Sequence, residues 1–485
     1  MKFRPSFMLL LTVCFWANLS LQAQKTDEKT AIAAQLDKRY QHYASIARTI
    51  WTTPELGYQE VKSSATLQAE LRAEGFKLDV GVADMPTSFV ASYGSGRPII
   101  AILGEFDALP GLSQDSVPYR KPIVEGGNGH GCGHNLFGTA SVAAATALKN
   151  WLTQTKRPGT IRIYGTPAEE GGGGKVYMTR AGLFNDVDAV LHWHPSDENS
   201  AESSSWLSQK QAIMRFYGRS SHAAAAPQVG RSALDAAEAM NYMVNMMREH
   251  IDEKARIHYV IKKGGLAANV VPDYVEMEYK VRHPKGEGME ELWQRVLKCG
   301  EGAALGTETR FEYEVISGYY EMVPNDELSR VMDANLRKVG GITYTPEETA
   351  FAEAIQKTLP TKKAPPLSNA TTIQPFRTGI INSGSSDVSD ISWVVPTAGV
   401  YPATWVPGTA AHTWQATAAD GMSIGFKGMM VAAKTMAMTA IDLFTTPELI
   451  QKAKAELEQR RGPNWQYKCL VGDRKPPLNY RSLTQ

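Results

Sequence analysis

The chain has 485 residues, about three times a ~150-residue domain, so two or three domains are expected. Lys and Arg number 51 against 50 Asp and Glu, a formal net charge of +1, which leaves no basic field for nucleic acid and no acidic tail. At 43% hydrophobic and 21% charged the composition is globular, and it excludes a disordered chain, a collagen-like repeat and a disulfide-dense scaffold.

Lys2 and Arg4 precede an apolar run over residues 7–16, and Leu21-Gln22-Ala23 ends in a small residue suited to cleavage. This is the pattern of a signal peptide over residues 1–23, cut after Ala23, and the run is short of the ~20 residues a spanning helix needs. A periplasmic or secreted protein is expected, free of the membrane once the signal is removed. Cys14 lies in this segment behind Val13, a poor lipoprotein-type residue; the mature chain keeps Cys132, Cys299 and Cys469. Three thiols cannot all pair, so at least one has another use in an oxidising compartment.

Residues 30–208 alternate helical and strand patterns. Short apolar runs at 98–103, 160–164 and 189–191 predict buried strands, and the stretch from Leu136 to Trp151 predicts a helix. The alternation predicts an α/β domain, a mixed central sheet with helices on both faces. Residues 211–317 read differently. A strand at 212–217 leads to a helix over 231–250, on which Leu234, Ala237, Met240, Val244 and Met247 recur at three- or four-residue spacing. Strands at 256–261 and 274–281, a helix through Leu292, Val296 and Leu297, and a strand at 311–315 complete a β-α-β-β-α-β order, that of a small ferredoxin-like domain. The sheet pattern resumes near Ile380, with strands at 393–395 and 399–401 and a long helix over 422–444. Residues 30–208 and 318–447 therefore read as one domain, 209–317 as an insertion, and 448–485 as a charged C-terminal helix and tail containing Pro476-Pro477.

The densest chemical signal is Gly126-Gly127-Asn128-Gly129-His130-Gly131-Cys132-Gly133-His134-Asn135. Its glycines make it a loop. Two histidines and a cysteine on it, just before a helix, suit metal coordination, although the spacing matches none of the common zinc-finger patterns. Glu105 and Asp107 follow one predicted strand, Glu169 and Glu170 with their glycines follow a second, His192 and His194 close a third, and His412 follows a late strand. Any one of these alone reads as a solvated loop charge. Ligands collect outside the carboxyl ends of strands in an open α/β sheet, so their joint occurrence points to one site. There is no Gly-x-Ser-x-Gly elbow, and Gly171 to Lys175 lacks the spacing of a phosphate-cradling loop, which argues against a serine hydrolase and a nucleotide-using enzyme.

These motifs resemble those of the M20 metallopeptidases, in particular the amidohydrolase branch that includes aminobenzoyl-glutamate and N-acyl-amino-acid hydrolases. The resemblance covers nearly the whole mature chain. It implies a two-metal site with Cys132, His134, Glu170, His194 and His412 as ligands, Glu169 as general base, and Asp107 as an acidic residue that supports the metal site. Which glutamate binds metal and which moves protons rests on the resemblance, as does the choice of His194 over His192. His192 is expected in the cleft wall, and His130 as a neighbour of the ligands at best. The resemblance further implies that His222, in Gly218-Arg219-Ser220-Ser221-His222-Ala223, stabilises the tetrahedral oxyanion, often across a dimer. Asn269 and Arg282 match residues that hold the substrate's carboxylate or carbonyl, and Arg282 equally reads as a strand-end charge. Ser383-Gly384-Ser385-Ser386-Asp387 departs from the family's more frequent Thr-Asp, which leaves its role open.

The thiolate favours zinc, and related amidohydrolases are also associated with manganese, so two divalent ions, Zn or Mn, are expected. The insertion is expected to serve as lid and dimerisation domain of a homodimer. The implied function is metal-dependent hydrolysis of the amide bond of an N-acyl or N-aroyl amino acid, of the p-aminobenzoyl-glutamate kind, by a metal-activated water. A dipeptidase or carboxypeptidase acting on short peptides is the near alternative. A non-catalytic binding protein on the same fold would lack a ligand or the base, and here all six of Cys132, His134, Glu169, Glu170, His194 and His412 are present.

Overall fold

The computed structural model describes residues 28–361 and 363–481, so the 1–23 signal segment lies outside the described residues. In chain order the strands are β1 (Lys77–Val80), β2 (Phe89–Ser95), β3 (Ile99–Gly104), β4 (Gly159–Gly165), β5 (Ala189–Trp193), β6 (Ser203–Ser205), β7 (Ser208–Tyr217), β8 (Arg256–Lys263), β9 (Tyr274–His283), β10 (Arg310–Tyr319), β11 (Thr378–Ile381) and β12 (Thr397–Val400). Six of them form the central sheet, in the order β1-β2-β4-β3-β5-β12. β4, β3, β5 and β12 run parallel, while β2 and β1 add antiparallel at one edge. Ile100, Ile102, Ile161, Ile163, Ala189 and Leu191 pack on one face, and Ala101, Leu103, Tyr164 and Val190 on the other. Burial on both faces is why these strands read as unbroken apolar runs.

Helices His134–Thr155 and Ser423–Thr445 contribute to the core on the first face. The former begins at His134, ahead of the predicted Leu136, which makes a candidate ligand its first residue. Gly138 lets this helix approach the end of β3, since a Cβ there would lie 2.7 Å from the Glu105 carbonyl oxygen. The helix that carries His134 is thereby pressed against the loop that carries Glu105 and Asp107.

The insertion is an antiparallel sheet in the order β10-β7-β9-β8, with helices Ala233–Met247 and Gly286–Thr307 sharing one core with its inner face. β7 opens at Ser208 and β10 closes at Tyr319. Ser232 caps the first helix, its hydroxyl accepting Asp235 N–H at 3.1 Å. From that start the buried stripe runs through Ala233, Ala237, Met240, Val244 and Met247, and Leu234 is only half-buried. On β9, Val275, Met277, Tyr279 and Val281 face the helices, so Glu276, Glu278, Lys280 and Arg282 alternate onto the open face.

Two expected strands behave differently. The Ile380 region is β11, which pairs only with β6, in a separate two-stranded parallel sheet. Residues 393–395 are a turn after the helix Val388–Ser392, and the last central strand begins at Thr397. Trp393 instead spends its indole N–H on the Glu321 carbonyl at 2.7 Å. A short Trp-Val-Val run is apolar enough for either a strand or a packed turn, and pattern alone does not separate them. Among the described residues no helix is long and apolar enough to cross a membrane.

Candidate metal centre

Each chemical loop leaves the carboxyl end of a parallel strand. β3 delivers Glu105 and Asp107, β4 delivers Glu169 and Glu170, β5 delivers His194, and from β12 the chain passes to His412. Cys132 and His134 flank Gly133, which takes φ 72° as the helix N-cap. His412 N–H donates to the Gly131 carbonyl at 2.7 Å, which ties its loop to the Cys132 strip.

Donor atoms of Cys132, His134 and His194 lie within 4.8 Å of one another, as do those of Cys132, Glu170 and His412. The two triads share Cys132. A third group, Glu105, His134 and Glu169, meets the same limit. His134 Nδ1 is 2.8 Å from Asp107 Oδ1, and His194 Nδ1 is 2.8 Å from the Pro195 carbonyl oxygen. Each ring therefore donates its Nδ1–H and points Nε2 into the cluster, the arrangement a metal ligand needs. Burial acts to lower His134, but Cys132, Asp107 and Glu105 push it well above its ordinary value, so a bound cation would take the place of its Nε2 proton. His194 Nε2 is 3.4 Å from Cys132 Sγ, and His412 Nε2 is 3.2 Å from Glu170 Oε1. The second oxygen of Asp107 accepts Glu170 N–H at 2.9 Å, so one carboxylate braces a donor residue in each triad.

The donor set fits a pair of cations. His134 Nε2 and Glu170 Oε1 are buried without a well-formed hydrogen bond, facing Glu105 Oε2 at 3.1 Å and His412 Nε2 at 3.2 Å, a state that a bound cation relieves. Thiolate, imidazole and carboxylate together suit a borderline-soft divalent ion. Burial pushes the Cys132 thiol well above its ordinary value, and Glu170 beside it pushes the same way. A cation at the sulfur would reverse that balance. Burial, with Glu105, Glu170 and Asp387 close by, pushes the Glu169 carboxyl well up against the pull of Lys175. Burial acts to raise Asp107 too, but His134 beside it holds it below the ordinary carboxylate range. His194, held down to about 4 by burial and by His134, is a neutral imidazole.

Asp107, Cys132, His134, Glu169, Glu170, His194 and His412 thus come together. His222 and Asn269 do not join them: both are exposed on a loop of the insertion, where Ala223 N–H donates to the Asn269 carbonyl at 3.0 Å. His222 Nδ1 accepts from the N–H groups of Ala224 and Ala225 at 3.2 and 3.1 Å, which leaves Nε2–H as an exposed donor. Arg282 is half-buried on the open face of β9 with its Nε unpaired, next to Tyr319. The Tyr319 ring in turn covers Gly173 of the metal loop, where a Cβ would lie 2.9 Å from it. His130 is buried, its Nε2 3.2 Å from the Ile50 carbonyl oxygen, and burial with His134 nearby holds it down to about 3. His192 is not in the cleft wall: it is buried on one face of the sheet over its register partner Gly399 of β12, where a Cβ would lie 2.5 Å from its ring.

Several residues at the site went unread in the sequence. Lys175 Nζ lies 2.7 Å from Glu105 and 2.7 Å from Asp387, all three fully buried directly behind Glu169. This gives the departing Ser383–Asp387 stretch a role, since Asp387 is the partner of Lys175. A lysine at the start of an apolar helix was the available signal. Glu60 accepts Ala168 N–H at 2.8 Å, and burial with Asp107 nearby pushes its carboxyl up to about 8. Lys280, two residues before Arg282, is drawn down to about 8 by burial and by Arg282, while Glu278 and then Glu169 and Glu170 pull the other way. The open face of the inserted sheet therefore looks onto the metal loop.

The sequence profile of peptidase family M20/M25/M40 matches residues 101–372. This chain belongs to that family. Over 444 residues the M20 chain is 41% identical to the B-type component of p-aminobenzoyl-glutamate hydrolase of Escherichia coli (strain K12), covering 86% of this chain and 92% of that protein. Xaa-Arg dipeptidase of Mus musculus is 31% identical over 445 residues, 89% of this chain and 92% of that one. The same fold occurs in a dinuclear metal-binding M20 peptidase of Bacillus subtilis, with a TM-score of 0.57 at 18% identity over 84% of this chain and 99% of the other. It occurs again in an aminobenzoyl-glutamate utilization protein of Klebsiella pneumoniae, with a TM-score of 0.59 at 17% identity over 84% and 97%. The M20 chain is an enzyme, a hydrolase of amino-acid conjugates or peptides with groups suited to metal binding.

Proposed function

We propose that this chain cuts the amide bond of an N-acyl or N-aroyl amino acid, of the p-aminobenzoyl-glutamate kind, using two divalent ions, zinc or manganese. The observation that carries this reading is the pair of donor triads joined at Cys132, with the buried carboxylate of Glu169 beside both and needed by neither. Such ions, held by Cys132, His134, Glu170, His194 and His412, would polarise the scissile carbonyl and acidify the attacking water. Glu169 takes the proton of the attacking water and hands it to the leaving nitrogen. Asp107 holds the tautomer of His134 and the backbone of Glu170.

His222 supplies its Nε2–H to the oxyanion. Its exposure, away from the metal ligands of its own chain, supports delivery within a homodimer. So do the edge strand β8 and the exposed Val260, Ile261, Leu266 and Val270 around it, which suit a second copy. Asn269 and Arg282 hold the carboxylate and carbonyl of the substrate. Across β8 and β9, Arg256 stands opposite Arg282 and His258 opposite Lys280. This end of the open face, basic at Arg256, Lys280 and Arg282 although Glu276 and Glu278 lie farther along it, supports an acidic amino acid on the leaving side and opposes a C-terminal arginine, whose guanidinium would meet like charge.

The likeness to Xaa-Arg dipeptidase supports the alternative, a dipeptidase. Parallel assays of p-aminobenzoyl-glutamate, hippurate and an Xaa-Arg dipeptide, each with Zn²⁺ or Mn²⁺, decide between them. Fastest cleavage of the first is expected. Preference for the dipeptide would replace this reading, and cleavage of none by the metal-loaded protein would refute it. Residues 1–23 are proposed to direct the chain to the periplasm or outside, and a mature protein starting at Gln24 by N-terminal sequencing is the expected result.

A further inference from the structure

The loop that carries Glu169 and Glu170 is held from outside by the far end of the chain. Gly171 to Gly174 follow the two glutamates, and Ala168, Gly171 and Gly173 take left-handed φ angles of 58°, 115° and 70°. A segment so rich in glycine has little conformational preference of its own, so its geometry comes from contacts. Three of these lie within the catalytic domain. Glu60 accepts Ala168 N–H at 2.8 Å, Asp107 accepts Glu170 N–H at 2.9 Å, and Tyr58 O–H donates to the Gly172 carbonyl at 2.8 Å. None of the three uses the carbonyl of Glu170. That oxygen is taken by the C-terminal tail: Tyr480 O–H donates to it at 3.3 Å, and the Arg481 guanidinium donates to it as well.

Tyr480 is seated for this contact. Its ring stands edge-on to Tyr58 with centroids 5.8 Å apart, and a Cβ on Gly57 would lie 2.5 Å from its hydroxyl. The tail that brings it there is fastened along its length. Trp465 stacks on Trp393 at 4.7 Å, and Tyr467 O–H donates to buried Asp390 at 2.6 Å. Tyr320 O–H donates to the Lys468 carbonyl at 2.7 Å, and Arg180 to the carbonyls of Gly472 and Arg474 at 2.7 and 2.8 Å. Arg474 pairs with Glu314 of β10 at 3.0 Å. The tail thus touches the inserted domain, the helix Gly174–Arg180 behind the metal loop, and the metal loop itself.

The geometry points to Tyr480 and Arg481 as positioning residues that fix the Glu170 backbone and, through it, the carboxylates of Glu169 and Glu170. The C-terminal segment is then a working part of the site. This rests on the reading of that loop as the hydrolytic one. The test uses the full-length Tyr480→Phe/Arg481→Met double variant and the single variant Arg481→Lys. Amide hydrogen exchange is followed in chelator-treated protein, and kcat and KM for p-aminobenzoyl-glutamate after loading with Zn²⁺ or Mn²⁺.

In the double variant, amides 168–174 should exchange faster while those of the central sheet do not. kcat should fall about 10- to 100-fold at unchanged KM, the scale of a small misplacement of reacting groups, and the single variant Arg481→Lys, which keeps a donor at both positions, should stay near the wild type. Unchanged exchange at 168–174 overturns the proposal, as does an increase spread evenly over the catalytic domain. If the double variant does not fold, the full-length single variants Tyr480→Phe and Arg481→Met, each of which removes one of the two donors to the Glu170 carbonyl, carry the same two outcomes. The exchange measurement needs no substrate. Absence of hydrolysis by the wild type would therefore count against the proposed function, while the clamp stands or falls on exchange.

Discussion

Glu169→Gln separates proton transfer from metal binding. Glutamine keeps the shape of the side chain and removes the carboxylate. Glu169 sits in a crowd of negative charge, with Glu105, Glu170 and Asp387 all opposing its ionisation alongside burial, and Lys175 favouring it. Lys175 already holds Glu105 and Asp387 at 2.7 Å each, so it stays paired when the third charge is removed. The metal-free variant should therefore unfold at a temperature no lower than the wild type. A positioned general base contributes roughly 10²- to 10⁴-fold, or about 2.7–5.4 kcal/mol of barrier at ~1.36 kcal/mol per tenfold. The assay is kcat and KM on p-aminobenzoyl-glutamate under saturating Zn²⁺ or Mn²⁺, with metal content read on the same sample. kcat should fall by that factor while KM and metal content hold. Wild-type turnover would refute the role. Loss of metal together with activity would move Glu169 into the ligand set, through the Glu105–His134–Glu169 group.

Cys132→Ala removes the donor that both triads share and should lower metal content at both positions, whereas His412→Ala should affect one; unchanged content would make Cys132 an ordinary buried thiol. Arg282→Met should raise KM for p-aminobenzoyl-glutamate about 10- to 100-fold, the worth of a charge-assisted hydrogen bond of ~1.5–3 kcal/mol, and an unmoved KM would leave Arg282 as a strand-end charge. His222→Ala should lower kcat by about 10²-fold with metal retained, and metal loss would mean that the insertion carries a ligand. Asp390 gives a pH signature away from the metals. It is fully buried against Tyr467 and Tyr320, and burial pushes its carboxyl from 3.8 to about 7. The folded chain holds a proton there that the unfolded chain releases, so stability falls as pH rises across that window. In metal-free protein Asp390→Asn should flatten this fall, by up to ~4 kcal/mol at ~1.36 kcal/mol per pH unit; parallel Tm-against-pH curves would contradict it.

The legible parts of this molecule are the local ones. Buried parallel strands such as β3, β4 and β5 declare themselves as apolar runs, and the residues just after them carry the chemistry, so Asp107, Glu170 and His194 could be read from short strings. The inserted domain was legible in the alternation of β9 and the apolar stripe of Ala237, Met240 and Val244. What escaped depends on distant partners. Lys175 and Asp387 are 212 residues apart in sequence, and Tyr480 and Glu170 are 310 apart, so neither contact leaves a local pattern. Residues 393–395 and His192 were misplaced for a related reason: an apolar turn mimics a strand, and a histidine at a strand end gives no sign of whether it faces the cleft or a neighbouring glycine.

Metal content per chain tests the central claim most directly. The purified wild-type protein would be stripped with chelator, equilibrated with Zn²⁺ or Mn²⁺, freed of excess ion and analysed by mass spectrometry of the elements. Two donor triads joined at Cys132 predict about two ions per chain. One ion or none under every loading condition would contradict a two-metal site and, with it, the hydrolytic mechanism built on Glu169.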